Sequence, residues 1–170
     1  MRIIVMSDSH RNFRNVQRVV EKHPDADLYI HLGDGEREFE DVQNLYPNRR
    51  YLWVAGNCDF FTDLPRAAIV EIGSFRILMT HGHYYYVSVG TRDLVEDAKA
   101  NDCNVAMFGH THKPFVDRSD KELTVLNPGS LSFPRQNGRR PSYIRMTASE
   151  NGEAEYEICI GWRDGWGVID

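Results

Sequence analysis

Nothing in the chain approaches the ~20 consecutive apolar residues that a membrane-spanning helix needs, so no membrane partner is expected. Its first apolar run, Ile3 to Met6, is interrupted by Asp8 and is too short for the core of a signal peptide. Cysteine is scarce. Cys58, Cys103 and Cys159 are odd in number and show no CxxC spacing, which fits reduced thiols better than a disulfide framework or a zinc knuckle. Reduced thiols and a cytoplasmic location are the expectation. Positive charge is also in short supply: 20 Lys and Arg against 25 Asp and Glu leave a net charge of −5, so no broad nucleic-acid surface is expected. Repeats, low-complexity tracts and Ser/Gly linkers are missing too. The 170 residues therefore read as a single domain, 1–170, long enough to bury a core.

What the chain does have is polar residues repeatedly placed at the ends of short apolar runs. Asp8 and His10 follow Ile3-Ile4-Val5-Met6, and Asp34 follows Leu28 to Leu32. Asn57 follows Tyr51 to Ala55, His81 follows Ile77 to Thr80, and His110 and His112 close Val105 to Phe108. A sixth run, Leu123 to Leu126, ends in Asn127-Pro128-Gly129-Ser130. Helical stripes lie between the runs: Val16, Val19 and Val20 within 12–22, Phe39, Val42 and Leu45 within 36–46, and Leu94, Val95 and Ala98 after a capping Thr91. Strands at Ala67–Ile72 and Phe75–Thr80 meet at Gly73-Ser74, and Ser142–Thr147 pairs with Glu153–Ile160 across Asn151-Gly152. An alternating β-α-β-α-β first part and a strand-rich second part predict two sheets packed together with helices outside, an α/β sandwich in layers.

Taken singly, these polar groups have ordinary explanations. Gly33-Asp34 and Gly56-Asn57 are frequent turn pairs, and Ser7-Asp8 suits the turn into a helix. Gly109-His110-Thr111-His112 is harder to explain by packing, because neutral imidazole is the commonest side-chain metal ligand. Together they supply ligands for two ions, and carboxylate with imidazole suits Mn, Fe, Zn, Co or Ni better than Ca. Two divalent ions beside Asp8 and Asp34 would leave a surplus near +2, electrophilic toward phosphate.

The ordered blocks Asp-x-His (8–10), Gly-Asp (33–34), Gly-Asn-x-Asp (56–59), His81 and Gly-His-x-His (109–112) resemble those of the calcineurin-like metallophosphoesterase superfamily. Gly-Asn-Cys-Asp, the compact length and Asn127-Pro128-Gly129-Ser130 are similar to the small YfcE-type phosphodiesterases. The resemblance implies the metallophosphatase fold, a four-layer α-β-β-α sandwich of two mixed sheets flanked by helices, and two divalent ions, Mn first and Ni, Fe, Zn, Co or Mg as alternatives. It assigns Asp8, His10 and His112 to one ion, a bridging Asp34, and Asn57, His81 and His110 to the other. It implies hydrolysis of a small phosphodiester by a hydroxide held between the ions. A phosphomonoesterase is the alternative enzyme, and a protein-binding scaffold akin to a retromer subunit is the alternative outside catalysis.

Many members carry a leaving-group acid His where this chain has Cys58, whose thiol has an unperturbed pKa of ~8.5. Slow hydrolysis of esters with poor leaving groups is therefore expected. Asp59 either orients a ligand histidine or belongs to a turn. His83 competes with His81 as ligand or serves as acid. Arg135, ahead of Arg139 and Arg140, is the substrate-phosphate candidate. His31 is expected in the core and His23 on the surface at a helix end. Tyr84-Tyr85-Tyr86 is expected to be partly buried, or to floor a substrate pocket or subunit contact. Trp162 and Trp166 suit a covered sheet edge or a partner, and a homodimer is compatible with that aromatic tail.

Overall fold

The computed structural model describes residues 1–60, 62–162 and 165–168; for Glu36, Trp162 and 165–168 it describes the backbone alone. In chain order the elements are β1 (Arg2–Met6), α1 (Phe13–Lys22), β2 (Leu28–His31), α2 (Glu36–Leu45), β3 (Tyr51–Trp53), β4 (Ala67–Ile72) and β5 (Phe75–Thr80). A 3₁₀ turn, His83–Tyr85, precedes α3 (Arg92–Ala100), β6 (Val105–Met107), β7 (Pro114–Asp117) and β8 (Thr124–Pro128). The chain then forms β9 (Ser142–Ala148), β10 (Ala154–Trp162) and β11 (Gly165–Val168).

Side chains alternate across each strand, so a run apolar at every position must be covered on both faces. In β1, Ile3 and Val5 join a core shared with Ile77, Met79, Val105 and Met107, whereas Ile4 and Met6 join Val16, Val19, Phe39 and Val42. The first core lies between two sheets and the second lies under α1 and α2. A third core packs Leu94 and Ala98 of α3 on Leu78, Ala106 and Val125. The layers are therefore α-β-β-α, as the metallophosphatase fold requires. Each fully buried Ile, Val or Phe stabilises this arrangement by roughly 1.5–3 kcal/mol.

One sheet runs β11-β10-β9-β1-β2-β3 and the other β4-β5-β6-β8-β7. The strands β1, β2 and β3 are parallel, as are β5, β6 and β8. Their carboxyl ends gather every strand-end motif at one rim, the edge where ligands bind in open α/β sheets. The helix α1 starts at Asn12, whose side-chain oxygen accepts from the Asn15 backbone N–H at 3.2 Å, and it stops just before Pro24.

Two expectations change, and one strand is new. His23 is 6% exposed, with Nε2 2.7 Å from the Tyr143 hydroxyl, because β9 runs beside β1 and brings Tyr143 under the end of α1. Tyr84 and Tyr86 face solvent, and only Tyr85 packs on the third core. The segment after His112 forms an edge strand, β7, paired antiparallel with β8. The side chains of Trp162 and Trp166 lie outside the described residues.

Candidate metal centre

Asp8 stands two residues beyond β1, fully buried, and its loop is held from several directions. The Asp8 N–H donates to the Gly33 carbonyl at 3.0 Å, and Ser130 Oγ donates to the Asp8 carbonyl at 2.8 Å. The carboxylate Oδ2 accepts from the His110 backbone N–H at 3.1 Å. Its Oδ1 lies 2.9 Å from His112 Nε2, 3.7 Å from His10 Nε2 and 3.9 Å from His81 Nε2. Asp34, beyond β2, has Oδ2 3.4 Å from His81 Nε2 and 3.8 Å from His10 Nε2, while Oδ1 accepts from the Cys58 N–H at 2.7 Å.

Among the described residues, three groups have donor atoms within 4.8 Å of one another: Asp8 with His10 and His112, Asp8 with Asp34 and His81, and His10 with Asp34 and Cys58. His110 lies outside these groups and packs edge-on against His81, 5.2 Å between centroids. Asn57 is exposed and its side-chain N–H donates to Cys58 Sγ at 3.2 Å. His83 sits in the 3₁₀ turn against Tyr84, 5.5 Å from the His81 ring.

Backbone carbonyls fix the tautomers. His81 Nδ1 is 2.7 Å from the Leu32 carbonyl and His112 Nδ1 is 2.7 Å from the Phe133 carbonyl. A carbonyl only accepts, so both Nδ1 atoms carry hydrogen and both neutral rings turn an Nε2 lone pair inward. Asp8 Oδ1 and His81 Nε2 are buried without a hydrogen-bond partner, and His10 Nε2 faces His112 Nε2 at 3.2 Å. Lone pairs converging on carboxylate oxygens repel unless a cation lies among them. The donor set thus fits divalent metal.

Unless a cation lies in the cluster, its carboxylates draw protons onto the histidines: burial opposes a charge on His81, yet both His10 and His81 are raised. Burial opposes ionisation of Asp8, but the surrounding histidines outweigh it and hold its pKa well below the usual carboxylate range. The same contest, won by His81 and the Cys58 N–H, lowers Asp34 to about 2. His10 is raised, chiefly by Asp8. Burial and neighbouring Asp34 push the Cys58 thiol up to about 11.

Six non-glycine residues at this rim adopt positive φ: Asp8, His10, Arg11, Asp34, His110 and His112. Such conformations cost on the order of 1–3 kcal/mol each and cluster at functional sites. Neighbouring chain must pass very close to them. A Cβ on Gly56 would run into Asp34 Oδ1, and one on Gly109 into Ser7 Oγ.

Asp59 is a loop clamp. Its carboxylate accepts from the backbone N–H groups of Asp34 (2.7 Å), Gly35 (2.9 Å) and Gly56 (2.7 Å). His31 is buried, as expected, and sits 3.0 Å from Ser9 Oγ, which donates to Glu38 at 2.9 Å. Asn127 donates to the Gly109 carbonyl and to Thr111 Oγ1, so the 127–130 segment supports both the first and the last motif loops.

A cleft of about 1060 Å³ opens beside the cluster, with Arg11, Arg37, Phe60 and Phe133 among its walls. The position expected to meet phosphate, Arg135, is exposed and outside that lining; its backbone N–H donates to the His112 carbonyl. Arg11 and Arg37 escaped sequence reading because neither lies in a motif, although Arg11 directly follows Asp8-x-His10.

The family model for the calcineurin-like phosphoesterase superfamily domain matches residues 1–151. The chain belongs to that superfamily. It is 34% identical over 148 residues to the probable metallophosphoesterase YsnB of Bacillus subtilis, covering 86% of this chain and 84% of that protein. Phosphodiesterase MJ0936 of Methanocaldococcus jannaschii is 29% identical over 147 residues, 76% of this chain and 83% of that one. Vps29 of Entamoeba histolytica superposes with a TM-score of 0.81 at 20% identity over 99% of this chain and 97% of that one, a likeness of fold.

Proposed function

We propose that the chain is a metal-dependent phosphodiesterase acting on small phosphodiesters. The observation that carries this reading is the convergence of buried, unpartnered Asp8 Oδ1 and His81 Nε2 with the facing His10 and His112 nitrogens. Asp8, His10 and His112 would hold one divalent ion, Asp34 would bridge, and Asn57, His81 and His110 would hold the other. Such a pair lowers the pKa of bound water and clamps phosphoryl oxygens. The protein's own share is positioning. Leu32 and Phe133 carbonyls orient the rings, and Asp59 holds the Asp34 loop against the Gly56 loop.

A diester is favoured over a monoester by charge. The cleft wall sets Arg11 and Arg37 against Glu38, Asp41 and Asp59, a balance better suited to a monoanion than to a dianion. The name of the M. jannaschii relative supports the same choice. Three unpaired cysteines, and no helix among the described residues long and apolar enough to cross a membrane, support a reducing cytoplasmic setting. Likeness to Vps29 keeps a protein-binding scaffold as the second reading, but it rests on fold alone.

The test is a panel of matched diesters and monoesters after chelation and restoration with Mn, Ni, Mg or Zn. Metal-restored diester hydrolysis that Asp34→Ala abolishes is expected. Preference for monoesters would assign the alternative enzyme. Absence of any phosphoester turnover, with partner binding intact in Asp34→Ala, would assign the scaffold.

A further inference from the structure

The cleft beside the cluster carries a feature that phosphate hydrolysis does not use. Phe60 and Phe133 line it together with His10 and Asp34, yet the two residues are 70% and 58% exposed. Exposed large rings gathered on the walls of one cleft mark a ligand-binding groove.

Hydrogen bonds anchor Phe133 and the residue before Phe60. The Phe133 N–H donates to Ser130 Oγ at 2.8 Å, its carbonyl fixes His112, and its ring leans on His10 with centroids 5.1 Å apart. Phe60 directly follows Asp59, whose carboxylate holds three backbone amides. Arg11 and Arg37 stand on the same walls, among Glu38, Asp41 and Asp59. A cleft of about 1060 Å³ slightly exceeds the roughly 300–1,000 Å³ of small-molecule sites, leaving room for more than a phosphate.

We propose that Phe60 and Phe133 form an aromatic subsite that selects phosphodiesters bearing a planar aromatic arm, a nucleobase or simple aryl group, beside the scissile phosphate. The inference rests on the phosphodiesterase reading. An aromatic face offers stacking to any flat ring and little to a puckered one, while the arginines hold the anionic phosphate end.

The test compares diesters that share one non-aromatic leaving group, trifluoroethoxide, and differ in the other arm, held in each case through a poorer alkoxide: benzyl, cyclohexylmethyl or a nucleoside 5′-carbon. Release of trifluoroethanol is followed by fluorine NMR in the metal-restored enzyme. Benzyl and nucleoside esters should exceed the cyclohexylmethyl ester in kcat/KM by about 5- to 150-fold, the worth of one stacking contact. Phe60→Ala and Phe133→Ala should each reduce that ratio, and Phe60→Leu should retain apolar bulk without restoring it. Calorimetric dissociation constants for phenylphosphonate and cyclohexylphosphonate should show the same preference independently of turnover. A nucleoside ester above the benzyl ester assigns a nucleotide arm, and equality assigns any aryl arm. Equal turnover of benzyl and cyclohexylmethyl esters, or a ratio untouched by Phe60→Ala, overturns the aromatic subsite alone. Failure of every ester to react overturns the phosphodiesterase reading itself.

Discussion

Replacing Asp59 with Asn probes how the metal-cluster loops are held. In the native chain Oδ2 accepts from the Asp34 and Gly56 N–H groups and Oδ1 accepts from the Gly35 N–H. An asparagine can keep its one oxygen on the Asp34 and Gly56 pair, but its NH₂ then faces the Gly35 N–H, donor against donor. One bond to a charged acceptor is lost and a buried N–H is left without it, at about 2–3 kcal/mol. For a chain of this size each kcal/mol lowers Tm by about 2–4 °C, so Asp59→Asn should melt about 4–12 °C lower. Asp34 rides on the same backbone, and a misplacement of about 1 Å can cost about 10²-fold in rate. Calorimetric melting and titration of metal into chelated protein would measure both effects. A Tm within about 2 °C of the parent, with metal affinity unchanged, would refute the clamp.

Three further outcomes follow from individual residues. Burial, with help from Lys22, lowers His23 to about 4, so folding excludes a proton that the unfolded chain binds below about pH 6.5. Stability should be full above that pH and fall by up to about 3 kcal/mol as pH drops toward 4, a slope that His23→Gln should flatten in urea titrations. With its thiol pushed up to about 11, Cys58 is a poor proton donor at neutral pH. Diester rates should fall steeply as leaving-group pKa rises and Cys58→Ser should change them little; a flat dependence with chemistry rate-limiting would refute this. Gly56→Ala, whose methyl meets Asp34 Oδ1, should displace that carboxylate and lower metal affinity by at least about tenfold, measured by competition with a chelator.

Much of this architecture is written in local pattern. The short continuous apolar run Ile3 to Met6 and the Gly73-Ser74 turn specify strands through run length and turn chemistry alone, and β4 and β5 span the residues that turn predicts. The blocks from Asp8 to His112 are legible because they sit at strand ends, which parallel pairing then brings to one rim. Long-range neighbours are a different matter. Burial of His23 depends on Tyr143, 120 residues away, and nothing near His23 announces it. The strand β7 begins at Pro114, and proline argues against a strand except at a sheet edge, which is where β7 lies. Arg135 has the chemistry to hold phosphate but stands outside the cleft lining, whereas the isolated Arg11 and Arg37, likewise exposed, are part of it. Asp59 is recognisable as polar punctuation in sequence; only the approach of three backbone amides makes it a clamp.

The most direct measurement is metal stoichiometry joined to turnover. Chelated protein is titrated with Mn or Ni while bound metal is counted by mass spectrometry and hydrolysis of an activated diester is followed. Activity that rises to a plateau at two bound ions per chain, and is lost in Asp34→Ala together with metal binding, is predicted. Saturation with no ion bound, or full diester turnover in Asp34→Ala, would contradict a two-metal site built on Asp8, Asp34 and the histidines around them.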